Sequence, residues 1–128
     1  MNFVTLEEVL VIHDKMLEIG GGKGGVHDFS LLHSATERPK AKFGGKFLYT
    51  SIWQMAAAML HSLIKNHPFE DGNKRTAYFS TMRFLHKNGY KLLAKDKAIL
   101  DFTVKIDTEN TSLEDIASWI QKNSKKVK

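Results

Sequence analysis

The sequence predicts an all-α fold with a small β-hairpin flap. Apolar residues recur at helical spacing through most of the chain, and residues 52–66 are apolar almost all round, which is typical of a helix inside a core. Only residues 40–50 have the paired glycines and aromatic flanks of a hairpin. The chain has 128 residues without a linker or repeat, so we assign residues 1–128 to one domain.

The first two helices have local start and stop signals. Thr5, with a glutamate three residues later, forms a capping box, and apolar residues at helical spacing extend this helix over residues 5–19. The glycine-rich segment 20–25 then stops it. Asp28 can cap a second, shorter helix that ends at Glu37.

The hairpin and the later helices are predicted in the same way. A turn at Gly44 and Gly45 joins two short strands, and Ser51 can cap the apolar helix after them. Gly89 can end the next helix in a left-handed conformation. Four helices are expected after the hairpin: residues 52–66, about 73–88, about 98–106, and a last helix from Thr111 or Ser112.

Composition and charge exclude several classes of protein. The absence of cysteine excludes disulfides, thiolate chemistry and zinc–cysteine sites. The amino-terminal segment lacks the regions of a signal peptide, and no apolar run reaches the roughly 20 residues of a membrane span, so we expect a cytoplasmic protein without a membrane partner. Most of the net charge of +5 lies in lysines of a short basic tail, residues 122–128, which we expect to be solvated. Nucleic acid therefore ranks last among the partners considered.

The loop after the apolar helix contains groups that bind phosphate. Gly72 lets the backbone approach a ligand, and the helix beginning at Asn73 presents unpaired N–H groups and the positive end of its dipole. Lys74 and Arg75 lie in the first turn, where the dipole disfavours cations unless an anion is bound. These residues predict a site for a polyphosphate.

The same loop contains a candidate base and a candidate metal ligand. Asp71 offers the hard oxygen that Mg²⁺ prefers, since this ion commonly takes one or two carboxylates together with phosphate oxygens. The imidazole of His67 is suited to take a proton from a hydroxyl group near neutral pH. We interpret the loop as the centre of a phosphoryl or nucleotidyl transferase, while the residues alone also allow a binding module without activity.

Two other patterns are weaker. Gly20, Gly22 and Gly25 match G-x-G-x-x-G, but a helix rather than a strand precedes them, so we interpret this segment as a flexible turn and not as a nucleotide site. The six histidines show no recognised metal-ligand spacing, and those within helices are expected in or beside the core.

The loop sequence HPFEDGNKR, residues 67–75, resembles the signature of the Fic/Doc superfamily, in particular its Doc (death-on-curing) toxin branch. Doc-like members have lysine where Fic proteins have glycine after the asparagine, as Lys74 is here. Further Doc-like features extend along nearly the whole chain: Gly24-Gly25-Val26-His27-Asp28, Glu37-Arg38-Pro39, Phe43-Gly44-Gly45 and Leu63-Ile64-Lys65-Asn66.

The resemblance implies a Fic/Doc-type helical domain that uses ATP and Mg²⁺ to modify a hydroxyl group of a protein. By this analogy His67 deprotonates the target and Asp71 holds the metal. The residues implied to bind the phosphates are Gly72, Asn73, Lys74 and Arg75. A flap would hold the target in extended form, as an added strand. The flap residues are Lys42, Phe43, Gly44, Gly45, Lys46 and Phe47.

Two departures from the Fic pattern bear on the reaction. Lys74 adds bulk and charge where Fic proteins have glycine, and Tyr78 stands where they have a second arginine. Both resemble Doc, so the resemblance implies a toxin-like kinase that transfers the γ-phosphate to elongation factor Tu and inhibits translation. Transfer of AMP, as in Fic proteins, is the alternative.

Many Fic proteins also contain an inhibitory motif, [ST]-x-x-x-E-[GN]. Its nearest match is Glu109-Asn110, but Lys105 stands where the motif has serine or threonine. The resemblance therefore implies an antitoxin protein that inhibits in trans and docks near the active site.

Overall fold

The computed structural model describes residues 1–127, and its helices and short strands confirm the predicted all-α fold with a small flap. The helices are α1 (Leu6–Gly20), α2 (Phe29–Glu37), α3 (Ile52–Lys65), α4 (Asn73–Lys87), α5 (Asp96–Thr108) and α6 (Leu113–Lys122). The strands are β1 (Lys42–Phe43), β2 (Lys46–Phe47), β3 (Tyr90–Leu92) and β4 (Ser124–Lys126), and a 3-10 turn covers Arg38–Lys40.

Side-chain caps begin several helices where the sequence predicts them. The capping box of α1 is complete, because Glu8 N donates to Thr5 Oγ1 and Thr5 N donates to Glu8 Oε1, both at 3.1 Å. Asp28 Oδ1 accepts from Leu31 N at 3.0 Å at the start of α2. Helix α4 differs, since the residue before it is the left-handed Gly72 and no side chain caps it.

Helix α3 lies at the centre of the core. It packs against α2, α4, α5 and α6, and Ala56, Ala57 and Ala58 are all fully buried. Small side chains on successive positions face different neighbours and let the surrounding helices approach closely. The carboxyl end of α3 is therefore fixed by packing on several sides, and the loop that carries His67 begins there.

Helix α1 runs antiparallel to α4, so the start of α1 lies beside the end of α4. Glu8, at the start of α1, accepts from Arg83 Nε at 2.9 Å and from Lys87 Nζ at 2.7 Å, near the end of α4. Burial raises the pKa of Glu8, but hydrogen bonds from Lys87 and Arg83 outweigh it and lower this pKa to about 2. The end of α1 and the glycine-rich segment therefore lie at the beginning of α4.

The flap forms as predicted, with Lys42 paired to Phe47 and Phe43 to Lys46. Gly44 and Gly45 have φ of 59° and 81°, which is the pair of left-handed residues that a tight two-residue hairpin requires. The flap packs against the amino-terminal segment before α1, where the Phe47 and Phe3 ring centroids are 6.0 Å apart.

A second ribbon was not predicted: residues 124–126 of the expected tail form a strand, while the side chains of Lys122, Lys125 and Lys126 are exposed. Lys122 is the last residue of α6, and Ser124–Lys126 pairs antiparallel with Tyr90–Leu92. The sequence Ser-Lys-Lys has no apolar alternation that would predict a strand, so the pairing depends on β3 lying beside it. The last residue, Lys128, lies outside the described residues. None of the helices in residues 1–127 has the length and hydropathy that crossing a bilayer requires.

Candidate active site

The loop between α3 and α4 is held by internal hydrogen bonds and by a phenyl ring buried in the core. Phe69 is 3% exposed, and its ring stacks on the buried imidazole of His13 with centroids 3.7 Å apart. Asn73 Oδ1 accepts from Phe69 N, and Asn73 Nδ2 donates to Phe69 O, both at 2.9 Å. These two bonds hold the loop against the first turn of α4.

The Asn73 side chain is therefore used within the loop, which limits how this residue can contact a phosphate. The first hydrogen bond at the start of α4 runs from Thr76 N to Gly72 O at 2.9 Å. The backbone N–H groups of residues 73–75 precede it and have no partner within the helix. Asn73 can contact an anion through its backbone, with Gly72 (φ 80°) leaving room beside it.

The segment after α1 forms an outer layer on this loop. Glu70 N donates to Gly25 O at 3.2 Å, and His27 N donates to Pro68 O at 2.7 Å. Val26 and Phe69 form an isolated antiparallel bridge between these bonds. The glycine-rich segment, predicted as a flexible turn, thus contacts the loop of the candidate site directly.

Asp71 is fixed from two sides. Its backbone oxygen accepts from His13 Nε2 at 2.8 Å, and its Oδ2 accepts from Lys23 N at 2.6 Å. A side chain on Gly22 would lie 3.1 Å from Asp71 Cβ, and φ of 121° is a conformation that residues with a Cβ rarely adopt, so both observations favour glycine here. Among residues 1–127 no hydrogen bond reaches Asp71 Oδ1, which leaves this oxygen available to a ligand.

Arg75 contacts the end of α1 as well as the loop. Its Nη1 donates to Met16 O at 3.2 Å and its Nη2 to Gly21 O at 3.5 Å. A side chain on Gly20 would overlap the guanidinium. The carbonyl end of α1 thus partly compensates a cation that the α4 dipole disfavours.

The positive charge of Lys74 is compensated by a carboxylate that the sequence did not indicate. Its Nζ lies 3.0 Å from Asp107 Oδ2, and His67 Nε2 lies 2.9 Å from Asp107 Oδ1. Burial opposes ionisation of Asp107, but the hydrogen bonds from Lys74 and His67 outweigh it and lower the pKa of this carboxyl. Asp107 follows the fully buried Ile106 on α5, far along the chain from the loop, so no local pattern could identify it.

His67 has an unusual backbone conformation. Its φ is 45°, in the left-handed region that residues with a Cβ rarely adopt. The side chain is half exposed, and its only hydrogen bond within residues 1–127 is the one to Asp107. A strained backbone of this kind is frequent at functional sites, where the surrounding structure holds it in place.

One cleft of about 410 Å³ is lined by all the residues predicted as base, metal ligand and phosphate site. Its lining comprises His67, Glu70, Asp71, Gly72, Asn73, Lys74, Arg75 and Leu100. The flap is not among them. Phe47 contacts Phe3, which stacks on Phe84, and Phe84 lies about 16 Å along α4 from Asn73 at 1.5 Å per residue. Residues 42–47 therefore do not line the cleft itself, and their role in holding a target stays a prediction.

Comparisons with known proteins identify relatives along most of the chain. The model of the Fic/DOC family matches residues 3–85. The chain is 42% identical over 101 residues to "Toxin Doc" of Mycolicibacterium smegmatis (strain ATCC 700084 / mc(2)155), covering 77% of each protein. It is 27% identical over 122 residues to "Protein kinase doc" of Escherichia phage P1, covering 95% of each.

Proposed function

The chain belongs to the Fic/DOC family, and from this premise we propose that it is a Doc-like toxin that transfers the γ-phosphate of ATP to a hydroxyl side chain of a protein. The observation that carries this proposal is the cleft at the start of α4. It combines the His67 imidazole, the Asp71 carboxylate, free N–H groups and the Lys74 cation. The relatives named as a toxin and as a protein kinase support the same function.

The start of α4 is proposed to bind the phosphates of ATP. The N–H groups of residues 73–75 and the positive end of the helix dipole favour an anion there. Lys74 Nζ has three donors and uses one on Asp107, so two remain for phosphate oxygens. Arg75 keeps both of its Nη atoms on backbone carbonyls at the end of α1, and its charge adds to the positive field at the start of α4.

Asp71 is the proposed ligand of Mg²⁺. Its free Oδ1 and its fixed backbone fit a metal that takes one carboxylate and completes its shell with phosphate oxygens and water. Within residues 1–127 no three His, Cys, Asp or Glu side chains are grouped so that they could hold a metal ion together. Phosphate oxygens and water would therefore supply the remaining contacts to Mg²⁺. When bound there, Mg²⁺ neutralises charge on the phosphate oxygens.

The proposed reaction assigns one proton transfer to His67. The imidazole removes the proton of the target hydroxyl as its oxygen forms a bond with the γ-phosphorus. The bond between that phosphorus and the bridging oxygen breaks, and ADP leaves. A phosphorylated protein and a protonated His67 result, and the proton passes to solvent because the ring is half exposed.

Position 78 bears on which part of ATP is transferred. Tyr78 is 6% exposed, and burial, followed by the charge of Asp96, raises the pKa of its phenol. A buried neutral phenol offers no cation to a phosphate. This supports γ-phosphate transfer, for which a second arginine is not implied, over transfer of AMP, which remains the second candidate.

ATP labelled on either the γ- or the α-phosphate tests the proposal. We expect the γ-label to appear on a protein when purified chain, Mg²⁺ and elongation factor Tu, the proposed target, are combined. A cell extract serves as the parallel target mixture. Appearance of the α-label instead would identify the reaction as AMP transfer, and no transfer of either label would contradict an active enzyme.

An open apolar groove is proposed to bind the antitoxin. It has a volume of about 590 Å³ and is lined by apolar side chains of α1, α4 and β3, and Lys15 and Lys91 at its edge have no ion pair among residues 1–127. It extends to Met16, whose carbonyl binds Arg75 of the cleft. An acidic amphipathic helix has the complementary shape and charge.

Val11 provides the test of this groove, because it lines it and is 58% exposed. Genomic fragments of the host that restore growth to cells expressing the chain should fail to do so for Val11→Glu. The matched control is Val104→Glu, an exposed α5 position outside the groove lining. Equal rescue of wild type and Val11→Glu would exclude this groove as the antitoxin site.

A further inference from the structure

We propose that Asp107 is a positioning residue for the proposed phosphoryl transfer: its single carboxylate holds His67 in the tautomer whose Nδ1 is free and fixes Lys74 beside it. This inference rests on the proposed function, because a defined tautomer matters only if His67 takes a proton. Asp107 itself is not assigned contact with ATP or with the target.

The geometry of the carboxylate supports this role. Asp107 Oδ1 lies 2.9 Å from His67 Nε2 and Oδ2 lies 3.0 Å from Lys74 Nζ. The Asp107 side chain is 19% exposed, compared with 50% for His67, so the acid is the more enclosed partner. One rigid group thus sets the separation of the candidate base and the candidate phosphate-binding cation.

The backbone around Asp107 is tied to the element that carries His67. Lys65, the last residue of α3, donates from Nζ to the backbone oxygens of Asp107 at 3.0 Å and Glu109 at 3.3 Å. Lys65 precedes His67 by only two residues. The end of α5 and the start of the loop therefore keep a fixed relative position, which a chance surface contact would not need.

The chemistry of the contact fixes the tautomer. An ionised carboxylate only accepts hydrogen bonds, and Asp107 has a lowered pKa and is ionised near neutral pH. The Nε2 of His67 must then carry the proton, and in a neutral imidazole this leaves the lone pair on Nδ1. The lone pair on Nδ1 is the one that can take the proton of the target hydroxyl.

The opposite role, in which Asp107 obstructs Lys74 by occupying the place of a phosphate, makes a different prediction. Removing the carboxylate would then release Lys74 and raise turnover or the affinity for ATP. The positioning role predicts that turnover falls. Whether turnover rises or falls when the carboxylate is removed therefore distinguishes the obstructing role from the positioning role.

Asp107→Asn gives the sharpest test because it preserves size. Lys74 only donates, so it takes the amide oxygen, and the amide NH₂ of residue 107 faces His67 Nε2. The ring must accept at Nε2 and carry its proton on Nδ1, which removes the free lone pair. We expect kcat to fall by about 10²-fold or more, with a smaller change in KM for ATP, because an acid that fixes the tautomer of a catalytic histidine has effects of this size or larger.

The control is Asp101→Asn on the same helix, where the side chain is 67% exposed and pairs, among residues 1–127, only with Lys97. This variant removes the same charge and should leave kcat unchanged. Asp107→Ala lacks the NH₂ group and should lose less activity than Asp107→Asn. Higher turnover in either Asp107 variant would overturn the proposal.

A spectroscopic readout decides the question without ATP. With ¹⁵N-labelled histidine, at a pH where the ring is neutral, His67 should show a protonated Nε2 and an unprotonated Nδ1, with the signal assigned by its loss in His67→Ala. The Asp107→Asn variant should show the reverse. A wild-type spectrum with protonated Nδ1 refutes the proposal even if the variant fails to fold, whereas absence of label transfer with the expected tautomer refutes only the proposed function.

Discussion

Replacing His67 with glycine is expected to abolish phosphate transfer and yet to give a more stable protein than replacing it with alanine. Either change removes the proposed base, whose loss typically lowers a rate by about 10²–10⁴-fold. The backbone of residue 67 has φ of 45°, which glycine adopts freely. Alanine keeps a Cβ in this region, at a cost of about 1–2 kcal/mol.

The two variants are matched controls for each other. Both remove the hydrogen bond to Asp107, so that loss cancels when their free energies of unfolding are compared by denaturant titration. Labelled ATP measures transfer in the same samples. Retained transfer in either variant would place the base elsewhere, and an alanine variant at least as stable as the glycine variant would show that the left-handed backbone carries no strain.

How much the sequence could predict depends on how local each signal is. The capping box at Thr5 and the caps at Asp28 and Ser51 act within three residues, so the helix starts they predict are found in the structure. The hairpin at Gly44 and Gly45 is equally local. The position of that hairpin relative to the cleft depends on packing between Phe47, Phe3 and Phe84, which no turn signal indicates.

The residues of the cleft also divide into those that a local signal predicts and those that only the tertiary packing brings in. Residues 71–75 line it together because they are consecutive and bracket a helix start, so the sequence was sufficient to group them. Asp107 contacts His67 and Lys74 of the cleft only because α5 packs beside the loop, and no pattern of charged residues on α5 indicates this contact. The dipole of α4 therefore disfavours Lys74 and Arg75 less than the sequence alone suggests, because Asp107 and carbonyls at the end of α1 already compensate part of their charge.

The glycine-rich segment shows what a local pattern leaves out. A preceding helix correctly excluded a dinucleotide fingerprint, and the segment was interpreted as a turn. The structure gives it a structural function, because the Lys23 amide binds Asp71 and a side chain at Gly20 or Gly22 would disturb Arg75 or Asp71. Spacing alone could not show this, since the contacts join the segment at the end of α1 to the side chains of Asp71 and Arg75, about 50 residues further along the chain.

The second large effect is expected from Phe69, the anchor of the loop. Phe69→Ala should destabilise the protein by about 3–5 kcal/mol and lower its melting temperature by roughly 10–20 °C, as truncation of a buried phenyl ring generally does. It should also remove the surface on which His13 stacks, and His13 holds the backbone of Asp71. We therefore expect a loss of transfer activity even at temperatures where the variant remains folded.

Phe84→Ala is the control that separates stability from activity. Phe84 is fully buried and lies on the same helix as the cleft but toward its far end. Its truncation should cost a similar free energy, also about 3–5 kcal/mol, without touching His13 or Asp71. Both variants are compared by thermal unfolding and then by label transfer well below their melting temperatures. If both lose transfer equally, the loop anchor has no specific role and the Phe69 effect is one of global stability; if only Phe69→Ala loses it, the stacked pair positions Asp71 for the reaction.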